Sequence, residues 1–206
     1  APSSVQELMD LTITAFDLAD MYRNPVMILG DAILGQMMEP VILKERPKQD
    51  LPPKTWATVG AKMRPKNVIT SLSLDPVKLE KHNLRLAEKY KRVADEQVRY
   101  KTYMADDAET LLVAYGTCAR IAQAAVDIAR ERGLKVGLFR PISLWPFPYD
   151  ALQLTAQESL RVLVVEMSLG QMIEDVRLAI LDSKPVCFYG RTGGMTPTPR
   201  EVLDEI

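Results

Sequence analysis

The stretch that decides the fold is residues 111–140, which read LLVAYGTCARIAQAAVDIARERGLKVGLFR. An apolar run at 111–115 precedes a segment with helical spacing at 117–132, which Gly133 follows. A second apolar run comes at 136–139. A short apolar run, a helix that ends at a glycine and another short apolar run are typical of a β-α-β unit. Residues 111–140 therefore predict two parallel strands joined by a helix.

The same alternation continues to the last residue of the sequence. After a proline-rich turn at 141–148, it predicts a short helix to residue 159, a strand at 161–166, a helix at 170–181, a strand at 186–189 and a closing helix from Pro199. Strands separated by helices in this order favour an α/β fold with a doubly wound, mainly parallel sheet and right-handed crossovers. We expect one such domain over residues 107–206.

The N-terminal part predicts one helix and one strand. Ser4 and Glu7 form a capping-box pattern, and apolar residues recur at helical spacing over 5–23. The fully apolar run at 26–29 indicates a buried strand of a parallel sheet. Because one helix and one strand cannot bury a core, we expect residues 1–45 to be the tail of a larger α/β domain.

Between these parts the sequence predicts a linker, residues 46–106. Prolines and basic residues interrupt the pattern over 44–70, which indicates an extended chain. Pro76, directly after Asp75, begins a charged helical pattern that runs to residue 103, a length of about 40 Å. Its apolar face is narrow, so we expect the helix to bridge domains or to pack on another subunit.

Composition excludes several classes of protein. The 206 residues are 47% hydrophobic and 26% charged, with a formal net charge of -1, so no overall field favours nucleic acid or an anionic membrane. Asp31 interrupts the longest apolar stretch, residues 26–38, which is too short to span a membrane. The first residues lack the pattern of a signal peptide. We expect a cytoplasmic protein.

Cysteine and histidine are scarce. Cys118 and Cys187 are 69 residues apart, so the chain alone cannot hold an iron-sulfur cluster or a four-cysteine zinc site. The one histidine, His82, lies in a densely charged stretch where a solvated helix position is expected. We predict no metal site in this chain, and hydrolase or protease machinery is disfavoured.

Two glycine-containing loops are candidate anion sites. Gly116 and Thr117 pass directly from a strand into a helix, so their amides could hold a phosphate or a carboxylate. The alternative is a tight turn in which Thr117 caps the helix. Arg191, Gly193 and Gly194 suggest an anion nest, and the alternative there is a flexible loop before the last helix.

A third candidate loop follows the predicted strand at 26–29. Asp31 and Glu39 are carboxylates near a strand end with glycines beside them, which is compatible with an active-site loop. The alternative is a structural role in capping a helix and turning the chain toward the linker.

Three runs carry a resemblance to a known family. They are APSSVQELMDLTITAFDLADMYRNPVMILGDAILGQMMEP at 1–40, LLVAYGTCARIAQAAVDIARERGLKVGLFRPISLWPFP at 111–148 and GRTGGMTPTPREVLDEI at 190–206. They resemble the C-terminal portion of the α subunit of the 2-oxoacid:ferredoxin oxidoreductases, in particular the 2-ketoisovalerate (3-methyl-2-oxobutanoate) type. The resemblance implies that residues 107–206 are a transketolase C-terminal-like domain, preceded by the tail of a thiamine-diphosphate-binding pyrimidine domain and a long linker helix.

The resemblance also implies an activity. The complete enzyme would oxidatively decarboxylate a 2-oxoacid, expected to be 2-ketoisovalerate, to acyl-CoA and CO2, with reduction of ferredoxin. Its cofactors would be thiamine diphosphate with Mg²⁺ and iron-sulfur clusters, all in the complete complex, and coenzyme A would be the cosubstrate. The implied partners are β, γ and ferredoxin-like δ subunits, ferredoxin and a second copy in a homodimer, with no nucleic acid and no membrane.

The family's usual cofactor motifs do not occur in this sequence, so we assign no catalytic residue and expect the chain to serve mainly in assembly. The resemblance places Asp31, Gln36 and Glu39 near the cofactor cleft. A binding role for the chain predicts that coenzyme A binds through Gly116, Thr117 or Arg191, and Gly193 and Gly194 are further candidate cofactor-binding residues. Two alternatives stay open. In the first alternative, the chain is a subunit-docking module with no ligand of its own. In the second, it is a β-type subunit of a lipoamide-linked 2-oxoacid dehydrogenase.

Overall fold

A computed structural model describes residues 1–45 and 49–206. The helices are α1 Val5–Tyr22, α2 Ala32–Gln36, α3 Pro76–Glu96, α4 Gly116–Glu131, α5 Tyr149–Thr155, α6 Met172–Ile180 and α7 Pro199–Asp204. The strands are β1 Tyr100–Tyr103, β2 Thr110–Ala114, β3 Val136–Pro141, β4 Arg161–Glu166 and β5 Val186–Gly190. Within the described ranges, no helix is long and apolar enough to cross a membrane.

The five strands form one sheet in the order β1-β3-β2-β4-β5. All neighbouring pairs are parallel except β1 with β3, which is antiparallel. The chain leaves β2 to form β3 on one side and later returns to form β4 on the other side. The strand order therefore reverses between β2 and β4, and in α/β sheets the crevice beyond the carboxyl ends at such a point is the usual ligand site.

Helices cover both faces of the sheet. Alternate residues of β2 and β4 point to opposite faces, so Leu111 and Val164 pack with α5 and α6, whereas Leu112 and Leu163 pack with α4 and α7. All four of these side chains are buried. The predicted doubly wound α/β sheet is confirmed, with an antiparallel strand added at one edge.

Two predicted elements are wrong. The helix expected to reach residue 103 ends at Glu96, and residues 100–103 form the edge strand β1 instead. The strand expected at 26–29 does not form, because no other segment within the described ranges pairs with it. Strands of a parallel sheet depend on neighbours on both sides, so an apolar run without neighbours stays irregular.

The linker and α3 contribute little to the core. Residues 49–75 contain turns but neither helix nor strand, as predicted for the part of the linker that the structure describes, while residues 46–48 lie outside it. Asp75 caps α3 by accepting hydrogen bonds from the amides of Val77 and Lys78, and no residue of α3 is buried. α3 is thus a helix of 21 residues whose apolar side chains remain accessible on its surface.

Candidate functional site

The amino end of α4 lies at the carboxyl edge of β2, where the strand order reverses. Tyr115 is the N-cap residue and makes no side-chain capping hydrogen bond, and the helix begins at Gly116. Gly116 has φ +58, a left-handed conformation that glycine adopts without strain. The alternative interpretation in which Thr117 caps the helix is wrong, because Thr117 lies within the first turn.

A carboxylate 86 positions away in the sequence supplies the missing cap. Asp31 Oδ2 accepts a hydrogen bond from the Thr117 amide at 3.3 Å, while Oδ1 accepts one from the Leu34 amide at 2.9 Å. Asp31 therefore caps α2 and also α4. The structure brings Asp31, Gly116 and Thr117 together, although the sequence suggested two separate sites.

The electrostatics favour the ionised form of Asp31. Burial raises the pKa of this carboxyl group, but hydrogen bonds from the Leu34 amide and from Thr117 outweigh the burial, and the pKa is lowered. A carboxylate near a helix N-terminus is also stabilised by the unpaired amides and the helix dipole. Asp31 thus acts as an anion at the end of α4.

Glu39 connects the same two parts of the chain at a second point. Its Oε2 accepts a hydrogen bond from the Val5 amide at 2.8 Å, in the first turn of α1. Its Oε1 lies 2.6 Å from Arg120 Nη1 on α4. The Val5 and Arg120 contacts lower the pKa of Glu39. For Asp31 and Glu39, the sequence left open an active-site loop or a structural role in helix capping. The contacts that both residues make are those of helix capping.

Glu7 forms a third link that the sequence did not reveal. Arg140, at 7% exposure, donates two hydrogen bonds to the Glu7 carboxylate, at 2.6 and 2.8 Å. Burial raises the pKa of Glu7, but the Arg140 and Ser3 hydrogen bonds lower it to about 2. Ser4 caps α1 as predicted, because its Oγ accepts a hydrogen bond from the Glu7 amide. The Glu7 side chain contacts Ser3 and Arg140.

Glu166 is a fully buried carboxylate at the end of β4, on the other side of the crevice. It accepts hydrogen bonds from the backbone amides of Gln171, Met172 and Ile173, at 3.0 to 3.3 Å. The Ser168 hydroxyl donates a further bond at 3.0 Å. These donors fill the acceptor sites of the carboxylate, so Glu166 caps α6 and has a structural role. Its apolar neighbours in sequence gave no signal of this role.

Cys118 lies in the first turn of α4, near both carboxylates. Burial raises the pKa of its thiol to about 12, and the negative charges of Asp31 and Glu166 act in the same direction. A thiolate is the reactive form of cysteine. Cys118 therefore stays protonated and is not suited to act as a nucleophile.

The other predicted site residues lie apart from this contact. Arg191 Nη1 pairs with Glu201 Oε1 at 3.1 Å, beside the capping box of α7. Gly193 and Gly194 have φ +65 and +84, and the Met195 amide bonds to the Thr192 carbonyl, so they are the central residues of a tight turn. Gln36 is exposed at the end of α2. Cofactor binding by these residues stays a prediction.

An apolar cavity lies elsewhere. It has a volume of about 380 Å³ and is bounded by α1, residues 24–29, the end of α3 and residues 142–146. Tyr22 lines it and donates a hydrogen bond to Glu96 at 2.5 Å. Arg99 contributes a charged side chain to a lining whose other side chains are uncharged or apolar.

The described residues do not form a site for a metal ion or an iron-sulfur cluster. Among residues 1–45 and 49–206, no three His, Cys, Asp or Glu side chains are grouped in a way that could hold a metal ion. Cys118 is buried and Cys187 is exposed, whereas iron-sulfur clusters require several cysteine ligands at one place. Asp31 and Glu39 already bind backbone amides and, for Glu39, Arg120.

The chain is similar to subunits of known oxidoreductases. Ketoisovalerate oxidoreductase subunit VorB of Methanothermobacter thermautotrophicus is 48% identical over 206 residues, which cover 100% of this chain and 58% of the relative. The 2-oxoglutarate synthase subunit KorA of the same organism is 31% identical over 235 residues, covering 100% of this chain and 62% of the relative. The chain thus spans less than two thirds of the length of either relative.

A solved structure supports the fold. The 2-oxoglutarate:ferredoxin oxidoreductase from Magnetococcus marinus superposes with a TM-score of 0.75 at 19% identity, over 99% of this chain and 40% of that chain.

Two family models divide the sequence at residue 108. The model described as pyruvate:ferredoxin oxidoreductase core domain II matches residues 108–202. The model described as pyruvate flavodoxin/ferredoxin oxidoreductase, thiamine diphosphate-binding, matches residues 1–108, more than half of the chain. With the fold and the relatives in agreement, the chain belongs to the pyruvate flavodoxin/ferredoxin oxidoreductase family.

Proposed function

We propose that this chain is part of a thiamine-diphosphate-dependent 2-oxoacid:ferredoxin oxidoreductase that acts on 2-ketoisovalerate. The observation that carries the proposal is the 48% identity over all 206 residues to a ketoisovalerate oxidoreductase subunit, against 31% to a 2-oxoglutarate synthase subunit. Because the two relatives differ in the substrate that their names state, the higher identity favours the branched-chain substrate.

In the proposed reaction, a 2-oxoacid, coenzyme A and two oxidised ferredoxins give acyl-CoA, CO2, one proton and two reduced ferredoxins. The bond between the carboxylate and the carbonyl carbon breaks, a thioester bond forms, and the two electrons leave singly. Thiamine diphosphate, when bound to the complete enzyme, stabilises the carbanion that decarboxylation produces.

The role of this chain in the reaction is mainly assembly. The carboxylates considered for the cofactor cleft, Asp31 and Glu39, make hydrogen bonds to Thr117 and Arg120, which supports a structural role. Coenzyme A binding through Gly116, Thr117 and the loop from Arg191 to Gly194 is part of the proposal, and at Gly116 and Thr117 it would require the Asp31 carboxylate to move away. Mg²⁺ and the iron-sulfur clusters are proposed to reside in other parts of the complex.

The proposed partners are the β, γ and δ subunits, ferredoxin and a second copy of the chain. Exposed apolar residues on α1 and α3 support such contacts, because Phe16 is 72% exposed and Leu84 is 60% exposed. The division into residues 1–45, 46–106 and 107–206 and a location in the cytoplasm are part of the same proposal.

A subunit-docking module without a ligand is a second candidate. The observation that favours it is that Asp31, Glu39 and Arg191 are each engaged by other groups of the chain. Titration of the complex with coenzyme A separates the two candidates. Saturable binding that Arg191→Ala weakens supports a ligand role, and absence of binding at millimolar coenzyme A leaves docking as the role of this chain.

The experiment that tests the proposed function is coenzyme A-dependent viologen reduction by the co-expressed complex. The substrates are 2-ketoisovalerate and other branched-chain 2-oxoacids, pyruvate and 2-oxoglutarate. We expect reduction with the branched-chain acids, and turnover with another class would correct the substrate. No reduction with any of them, in a complex shown to hold its clusters and thiamine diphosphate, would refute the oxidoreductase proposal. Reduction of added lipoamide to its dithiol by the 2-oxoacid, without viologen reduction, would favour the lipoamide-linked alternative.

A further inference from the structure

We propose that the amino end of α4 is a carboxylate-binding site whose ligand is the Asp31 side chain of the same chain. Through this site, residues 30–39 would be held on the carboxyl edge of the sheet. The proposal concerns a binding site within this chain and does not depend on the proposed reaction.

The first argument is the geometry of the donors. The Thr117 amide donates to Asp31 Oδ2, and the N-cap residue Tyr115 offers no side chain to this end of the helix. Because the first amides of a helix have no partners within it, they require an acceptor from elsewhere. Asp31 supplies that acceptor from a distant part of the sequence.

The second argument is a buried donor that Asp31 does not satisfy. Thr117 is only 5% exposed, and its hydroxyl oxygen makes no hydrogen bond within residues 1–45 and 49–206. The hydroxyl is close enough to the carboxylate to help lower the pKa of Asp31, although it is not placed for a hydrogen bond. A buried hydroxyl without a partner is costly, so the site offers more hydrogen bonds than the tethered carboxylate uses.

The third argument is the surroundings of the site. A Cβ atom on Gly116 would lie at ordinary van der Waals distances from Asp31 Oδ2, 3.6 Å, and from the Pro2 carbonyl oxygen, 3.9 Å. Both oxygens therefore lie beside Gly116. A carbonyl oxygen beside the site disfavours a ligand with a second negative charge, so a carboxylate is preferred to phosphate.

The test is chemical rescue in the chain within its co-expressed complex, followed by hydrogen exchange and mass spectrometry. Asp31→Ala should increase the exchange rate at residues 116–120 about fivefold, because a capping interaction of typical strength is lost. Added formate should restore the protection in a saturable manner. The wild-type chain should not respond to formate, because its site is filled.

Two matched variants make the result specific. Asp75→Ala removes the carboxylate that caps α3, a helix end with no buried hydroxyl beside it, so exchange at 76–79 should rise and formate should not reverse the rise. Asp31→Asn keeps a side chain that can cap α2 and occupies the site, so formate should have no effect there. This variant also guards against a general loss of structure in Asp31→Ala.

Three results would overturn the proposal. Exchange at 116–120 that is unchanged in Asp31→Ala would show that the carboxylate does not stabilise the helix end. Equal formate responses in Asp31→Ala and Asp75→Ala would indicate an ordinary helix terminus. Equal rescue by phosphate and formate would contradict a site that prefers a carboxylate. The exchange measurement is independent of turnover, so its failure is distinguishable from failure of the proposed oxidoreductase activity.

Discussion

In residues 100–206 the central strands are buried on both faces, whereas in residues 1–45 only Pro2, Tyr22 and Leu34 are buried. The first region holds itself together by apolar packing on two sides of a sheet. The second region attaches to the first through Glu7, Asp31 and Glu39, each of which meets an arginine or a helix end. The difference indicates that the C-terminal sheet is the stable unit and that the N-terminal region is docked on it by charge.

The largest expected effect is a core substitution in the sheet. Leu163 is 1% exposed, so Leu163→Ala should destabilise the chain by about 3 kcal/mol, through lost burial and a cavity. Leu178 on α6 is 63% exposed, and Leu178→Ala should change stability by less than about 0.5 kcal/mol. Denaturant unfolding of the two variants measures the contrast. Similar losses would contradict the assignment of the core.

A smaller effect should follow from the Glu7 and Arg140 pair. Arg140→Met leaves a partly buried carboxylate without its partner, and we expect a loss of about 2 kcal/mol, below the cost for a fully buried pair. Adding Glu7→Gln to Arg140→Met should recover part of that loss, because the unpaired charge is removed. If the double variant is as unstable as the sum of the single variants, the two residues do not interact across the two regions.

The smallest effect is the pH dependence that Glu7 confers. The pKa of Glu7 falls from 4.5 to about 2 in the folded chain, so its stabilising contribution is present above pH 4.5 and is lost as the pH falls toward 2. The stability difference between the wild-type chain and Glu7→Gln should be constant at neutral pH. It should shrink between about pH 4.5 and pH 2. A difference that grows on acidification would mean that the pKa shift has the opposite sign.

The sheet could be predicted from the sequence because its signals are local. Apolar runs such as 161–166 alternate with helical segments, and each strand and helix is defined by its own residues. The edge strand β1 was missed because Tyr100–Tyr103 is largely exposed and follows a charged helix without a break in pattern. The run at 26–29 has a strand-like composition, but its pairing depends on neighbours that local pattern does not supply.

The candidate site was predicted in parts but not as a whole. Gly116 and Thr117 indicated an anion site, and Asp31 indicated a helix cap. The local sequence pattern could not show that these residues contact each other, because they are 86 positions apart. In the same way, the capping-box pattern gave no indication that Glu7 forms an ion pair with Arg140, 133 positions away. Long-range capping and ion pairing are decided by the fold, so they become visible only in the structure.

The most direct test of the comparison is hydrogen exchange in the 206-residue chain with all three docking carboxylates neutralised. In Glu7→Gln/Asp31→Ala/Glu39→Gln, we expect amides of α1 and α2 to lose protection while those of β2 and β4 keep it. Such a result would show that charge docks the N-terminal region on an independently stable sheet. Equal loss of protection in both regions, or no loss in either, would contradict this account.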